Sequence, residues 1–247
     1  MKQAQIDYLN YKKRQISCGG YVFISDRGDD KLHHFKSVNP NSPFAPTWDY
    51  RIINTKCKLD VQELSKLILD NEKIIIDKYP PTNDGLTGLG KDSLTSRFSH
   101  FNLLQWNHPI CKQLHQKISQ LHDRYIKVFG MSRDPNLKIA CWANVMRKGE
   151  KINTHYHATH PNTYISGHFC VQCYNSSTIY NNPYHSNNGD DDGFYIKNDD
   201  NQMTLFPSWI PHSTTKHMEN IERITIAFDI IYPMPNQASW RDNLIPF

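Results

Sequence analysis

Arg223-Ile224-Thr225-Ile226-Ala227-Phe228 alternates without a break. On an extended chain Ile224, Ile226 and Phe228 point one way, and Arg223, Thr225 and Ala227 point the other. A β-branched, period-two run of this kind is a strand with two different faces. Its leading residue is a lone cation, and a buried arginine is costly unless a carboxylate or an anionic ligand faces it. The run continues to Tyr232, and three other β-prone runs precede it: Lys138–Val145, Tyr164–Tyr174 and Gln202–Phe206. Asn, Asp, Gly and Pro separate them, most densely from Asn181 to Gly193, and no helical period lies between them.

Upstream the texture is different. Asp60 followed by Glu63 resembles a capping box, with Val61, Leu64, Leu67 and Ile68 on one stripe. Pro109 opens a second helix, apolar at Ile110, Leu114, Ile118, Leu121, Tyr125 and Phe129, and Gly130 closes it. Between the two, Lys78–Asp92 is rich in proline and glycine and reads as a long loop. Before residue 50 the pattern offers one short strand, Tyr21–Ile24. Helices followed by strands predict an α+β chain whose second half is a sandwich or barrel with the helices on one face. The expected organisation is one domain over 1–247: a helical buttress and lid over 1–130, and a strand-rich half over 131–235.

Composition narrows the function. The chain has 247 residues, 28 Lys and Arg against 24 Asp and Glu, and 12% aromatics, too many for a disordered polymer. The apolar runs are too short to span a bilayer, and the N-terminus lacks a secretory h-region. The expectation is therefore a cytoplasmic protein with no membrane partner. A net charge of +4 without a basic stripe leaves nucleic acid as a possible substrate only. The six cysteines are scattered, and Cys170-Val-Gln-Cys173 has no second pair to complete a zinc site. Gly88-Leu-Gly-Lys91 is too short for a phosphate-binding loop.

Seven of the 13 histidines (155, 157, 160, 168, 185, 212 and 217) fall between His155 and His217. His155 and His157, at i and i+2 on extended chain, point to one side and can share a metal. His212, behind Leu205-Phe206-Pro207-Ser208-Trp209-Ile210-Pro211, is the candidate third ligand. His168, His185 and His217 read as ordinary polar residues, and Asp190-Asp191-Asp192 as solvated loop.

These residues together resemble the Fe(II)/2-oxoglutarate-dependent oxygenases, and more narrowly a family of them common in marine bacteria and their phages. The resemblance rests on Trp142-Ala143-Asn144, Gly149, His155-Tyr-His157, Ser166-Gly167, the Leu-Phe-Pro-Ser-Trp-x-x-His block ending at His212, and Arg223-x-Thr225. It covers roughly residues 138–232. It implies a double-stranded β-helix, a jelly-roll or cupin-like core, holding Fe(II) through His155, His157 and His212. It also implies 2-oxoglutarate gripped by Arg223 and Thr225, with Trp142, Asn144, Tyr164 and Ser166 as further co-substrate contacts. The implied activity is hydroxylation of a small-molecule, peptide or nucleotide substrate; a homodimer is left open as a partner.

The sequence departs from the superfamily pattern twice. His157 stands where most members have Asp or Glu, so the ligand set loses a negative charge, and His157→Asp is expected to preserve or strengthen iron binding. His160-Pro161 could align with the family's His-Pro, which would make His160 the ligand. Other classes remain open: a three-His cupin-type dioxygenase without 2-oxoglutarate, a non-catalytic β-helix binding protein, and a zinc hydrolase.

Overall fold

Two antiparallel sheets and two long helices are described in the computed structural model, which covers residues 12–16, 20–159, 162–181, 193–232 and 243–247. The strands are β1 (Lys12–Ile16), β2 (Gly20–Arg27), β3 (Asp30–Ser37), β4 (Asp49–Lys56), β5 (Lys138–Met146), β6 (Ile165–Gln172), β7 (Ser177–Tyr180), β8 (Phe194–Lys197), β9 (Gln202–Pro207), β10 (His212–Thr214), β11 (Arg223–Ile231) and β12 (Ile245–Pro246). The larger sheet runs β1-β2-β3-β4-β9-β6-β11-β5-β12, and the smaller runs β10-β7-β8.

Helix α1 (Val61–Lys78) starts where the Asp60 carboxylate accepts from the backbone N–H groups of Gln62 and Glu63. It stops at Tyr79, before Pro80 and Pro81. Helix α2 (Pro109–Lys127) has proline in its first turn, where no N–H is needed. Both helices bury their apolar stripes against one face of the large sheet. Leu64, Ile68 and Ile75 from α1, and Ile110, Leu114, Ile118, Leu121 and Tyr125 from α2, share one core with Ile139, Phe169, Leu205, Ile224, Ile226 and Phe228. Two bidentate ion pairs fasten the layers, Arg147 to Glu72 at 2.6 and 2.7 Å and Arg124 to Asp30 at 2.7 and 2.9 Å.

The N-terminal segment differs from its sequence pattern. Four strands lie before residue 57 where the pattern offered one, and they lengthen the large sheet. Gly28, at φ +65°, turns β2 into β3 through a two-residue loop, pairing Arg27 with Asp30. One face of these strands meets the small sheet: Val22, Phe35, Tyr50 and Ile52 share a cluster with Tyr180 and Ile196 of that sheet, with Phe206 of β9 and with Ile210. The other face carries charge and histidine, which hides the apolar alternation. Between the two sheets, at the β5–β11–β6 end, the interior stays open.

Candidate metal centre

The opening is a cavity of about 420 Å³. Its floor is the face of β11 that turns away from the helices, with the matching faces of the neighbouring strands. Register places Thr225 opposite Asn144 and Cys170, and Ala227 opposite Trp142 and His168. Arg223, Thr225, Ala227, Trp142, Asn144, His168 and Phe206 line it, together with Thr178 and Thr214 from the small sheet.

His155, His157 and His212 meet at this cavity with one ring nitrogen each, all within 4.8 Å of one another. His155 and His212 are antiparallel bridge partners, with backbone N–H groups donating to each other's carbonyls at 3.0 and 2.9 Å. Their Nδ1 atoms lie 2.9 Å from the carbonyls of Asn153 and Ile210. A carbonyl only accepts, so Nδ1 is the protonated nitrogen and Nε2 keeps its lone pair. His157 follows the same rule with a different partner, as its Nδ1 donates to Asp229 Oδ1 at 2.5 Å. Three imidazoles thus present Nε2, each held by a hydrogen bond on the far side of the ring, which is the arrangement metal-ligating histidines adopt. Burial, then the neighbouring His157, pushes His155 down to about 4. Burial, then His155, holds His212 well below the ordinary value. Both are neutral near pH 7, as ligands must be.

The Leu205–His212 block shows why its residues sit where they do. Ser208 N donates to Tyr164 O at 3.0 Å, and Ser208 O accepts from His157 N at 2.9 Å and Ala158 N at 3.2 Å. Trp209 packs edge-on against Tyr50. The motif therefore ties the His157 segment to β6 while carrying His212 into the small sheet.

Arg223 is 1% exposed. Nε donates to Ser176 Oγ at 2.9 Å, and one terminal nitrogen lies 3.3 Å from Met146 Sδ. The Asn198 amide oxygen, turned toward the guanidinium, accepts at 3.0 Å. These partners are all uncharged, and among the described residues no carboxylate pairs with it. A buried cation balanced only by neutral groups, on a cavity wall, is suited to an anion.

The remaining residues singled out from sequence are scattered around the site. Trp142 and Asn144 line the cavity, and Asn144 Oδ1 accepts from Thr95 Oγ1 at 2.7 Å. Ser166 is fully buried behind His157, with Oγ 2.7 Å from Asp229 and 2.8 Å from Ser208 Oγ. Tyr164 turns to the helices, where its hydroxyl meets His122 Nε2 at 2.9 Å. His217 is buried in the segment between β10 and β11, its Nε2 donating to Ile221 O. Cys170 and Cys173 are both fully buried and free. His160, Pro161, His185 and Asp190–Asp192 lie outside the described residues.

Sequence reasoning missed the places of His168 and Asp229, whereas the loop it read as a lid does reach the cavity. His168 faces the cavity, and burial, then the Arg223 guanidinium, pushes it down to about 3. The loop after α1 contributes Thr82, Asn83, Asp84, Gly85 and Thr87 to the cavity wall. Arg97 braces that loop from beneath, donating to the carbonyls of Tyr79, Lys91 and Ser93. Asp229 went unread, although a lone carboxylate in Ile226-Ala227-Phe228-Asp229-Ile230 was as visible in the sequence as Arg223.

Residues 140–229 match the family model described as "Putative 2OG-Fe(II) oxygenase", a span that takes in the three histidines, Arg223 and Asp229. That family implies Fe(II) and 2-oxoglutarate, and the three-histidine cluster fits an iron site. No curated protein matches the chain. Among solved structures it is similar to a Pseudomonas putida prolyl-4-hydroxylase, with TM-score 0.48 and 10% identity over 74% of this chain and 93% of that one. It is also similar to AviO1 from Streptomyces viridochromogenes Tue57, with TM-score 0.47 and 10% identity over 76% and 92%. A third is a prolyl hydroxylase from Trichoplax adhaerens in complex with a hypoxia inducible factor oxygen degradation domain peptide fragment, with TM-score 0.43 and 10% identity over 73% and 83%. No helix among the described residues is long and apolar enough to cross a membrane.

Proposed function

We propose that this chain is an Fe(II)- and 2-oxoglutarate-dependent dioxygenase that hydroxylates its substrate, built on a double-stranded β-helix formed by the two facing sheets. One observation carries the reading: three convergent imidazoles line the same cavity as a buried arginine that has no carboxylate partner among the described residues. Fe(II), when bound, supplies the oxidising chemistry by which O₂ and 2-oxoglutarate yield succinate, CO₂ and a hydroxyl group on the substrate.

The chain's own residues do the rest. His155, His157 and His212 would hold the metal through Nε2. Arg223 takes the distal carboxylate of 2-oxoglutarate through the guanidinium nitrogens that face the cavity, and the Thr225 hydroxyl, on the same strand face, adds a donor. Ser176, Met146 and Asn198 orient the guanidinium without neutralising it, so the charge is kept for the co-substrate. Trp142 and Phe98, 5.5 Å apart, form an apolar wall that keeps water from the reacting centre. The substrate enters past the Thr82–Thr87 loop and Tyr156, which is half exposed.

Anaerobic calorimetry of the Mn(II)-loaded chain tests this. The wild-type chain should bind one 2-oxoglutarate per metal, and the His212→Ala chain should bind neither. Metal binding without 2-oxoglutarate binding would replace this reading with a three-His dioxygenase that needs no keto acid, which the all-histidine ligand set also suits.

A further inference from the structure

The three histidines are not held alike. His155 and His212 donate from Nδ1 to neutral backbone carbonyls, whereas His157 donates to a carboxylate at 2.5 Å. That carboxylate belongs to Asp229, whose side chain is 4% exposed on an otherwise apolar strand. Burying an ionised carboxylate is expensive, and a strand surrounded by isoleucine and phenylalanine gains nothing from it. Ser166 Oγ meets the same carboxylate oxygen at 2.7 Å and Ser208 Oγ at 2.8 Å, and Ser208 O accepts the His157 backbone N–H at 2.9 Å. The chain of contacts closes on itself: His157 ring, Asp229, Ser166, Ser208, His157 backbone. Four strand and loop segments converge to fix one imidazole in both orientation and tautomer.

His157 is also the residue that leaves the ligand set without a carboxylate. We infer that Asp229 is a positioning residue that returns the missing negative charge to the metal site one step further out, through the His157 ring. A carboxylate accepting from Nδ1–H makes Nε2 a stronger donor and locks the ring toward the metal, and such outer partners typically change metal affinity 10- to 100-fold. The inference rests on the metal site proposed above, but not on 2-oxoglutarate. It also reverses the expectation for His157→Asp. An aspartate there would stand beside a second buried carboxylate, and two like charges in one dry site oppose each other.

The experiment is Co(II) titration of the full chain, followed by its visible absorption, with a melting curve of each metal-free variant. Asp229→Asn keeps the shape and removes the charge. It should weaken Co(II) binding roughly 10- to 100-fold and shift the Co(II) spectrum, while the metal-free protein melts no lower than wild type. His157→Asp alone should also weaken binding. Combining it with Asp229→Asn should recover affinity, a sign change that a purely structural Asp229 would not produce. Wild-type affinity and spectrum in folded Asp229→Asn, or simple additivity in the double variant, would overturn the inference and leave the metal site standing. Failure of the wild-type chain to bind Co(II), or undiminished binding by His212→Ala, would overturn both.

Discussion

The two faces of β11 share one backbone and almost nothing else. Toward the helices it presents Ile224, Ile226, Phe228 and Ile230, all 0% exposed and in one continuous core. Toward the small sheet it presents Arg223, Thr225, Ala227 and Asp229, nearly as buried yet mostly polar. The first face stabilises by removing apolar area from water and by dense packing. The second spends some of that stability: it buries a cation whose partners among the described residues are neutral, and an anion that meets an imidazole and a serine. A strand can hold both because alternation separates them completely, so the loss on one face does not loosen the other.

The contrast can be broken first on the packed face. Phe228→Ala should destabilise the fold by about 3–5 kcal/mol, the usual cost of an aromatic deleted from a core. Metal and 2-oxoglutarate affinity per folded molecule should be unchanged in calorimetry run well below the melting point. A large affinity loss there would mean that the faces are coupled. On the open face the effect inverts. Arg223→Ala should weaken 2-oxoglutarate binding by about 2–5 kcal/mol, and Arg223→Lys should recover only part of it, because an ammonium cannot reproduce the fork. The metal-free Arg223→Ala chain should melt no lower than wild type. A fall in melting temperature with unchanged 2-oxoglutarate affinity would make Arg223 structural.

A smaller effect is expected where β6 crosses Phe228. A Cβ on Gly167 would lie 2.5 Å from Phe228 Cζ and 2.5 Å from Thr204 O. Gly167→Ala should therefore cost about 1–3 kcal/mol by overpacking, read from urea unfolding, and neutrality would show that the strands have slack. The smallest effect belongs to His168, half-buried on the cavity wall with its pKa pushed to about 3. The unfolded chain, at the ordinary value near 6.5, takes the proton first, so the contribution of His168 is intact above that pH and is lost as pH falls toward 3. Between pH 6.5 and 5 the wild-type chain should lose about 1 kcal/mol per pH unit from this group, and His168→Gln should flatten that part of the slope. Parallel pH curves for the two chains would rule it out.

What the sequence revealed followed the same alternation. The face assignment of Arg223 and Thr225 was readable because six residues alternate strictly, and the pairing of His155 with His157 because i and i+2 share a side on any extended chain. Strands β1–β4 were harder to read. One of their faces is charged, with His34 paired to Asp49 and Lys13 over Tyr21, so the apolar positions are diluted. The Gly28-Asp29 turn was the available signal, since a two-residue loop with a positive φ between alternating runs marks a hairpin. Asp229 escaped for another reason. Its partner Ser166 is distant in sequence, and only the register of β6 on β11 brings the two opposite each other.

The mutual backbone bridge between His155 and His212 has a mechanical consequence. It is the place where a segment from the middle of the chain is buttoned to one near its end. Backbone bonds join Gly149 to His217, Ile152 to Thr214 and His157 to Ser208 on either side of it, and a cation shared by the two rings would rivet the seam. Lys148 and Lys151, exposed just before the bridge, then serve as a gauge. Trypsin should nick the chelator-stripped chain there early, and the metal-loaded chain should resist for as long as the rivet holds.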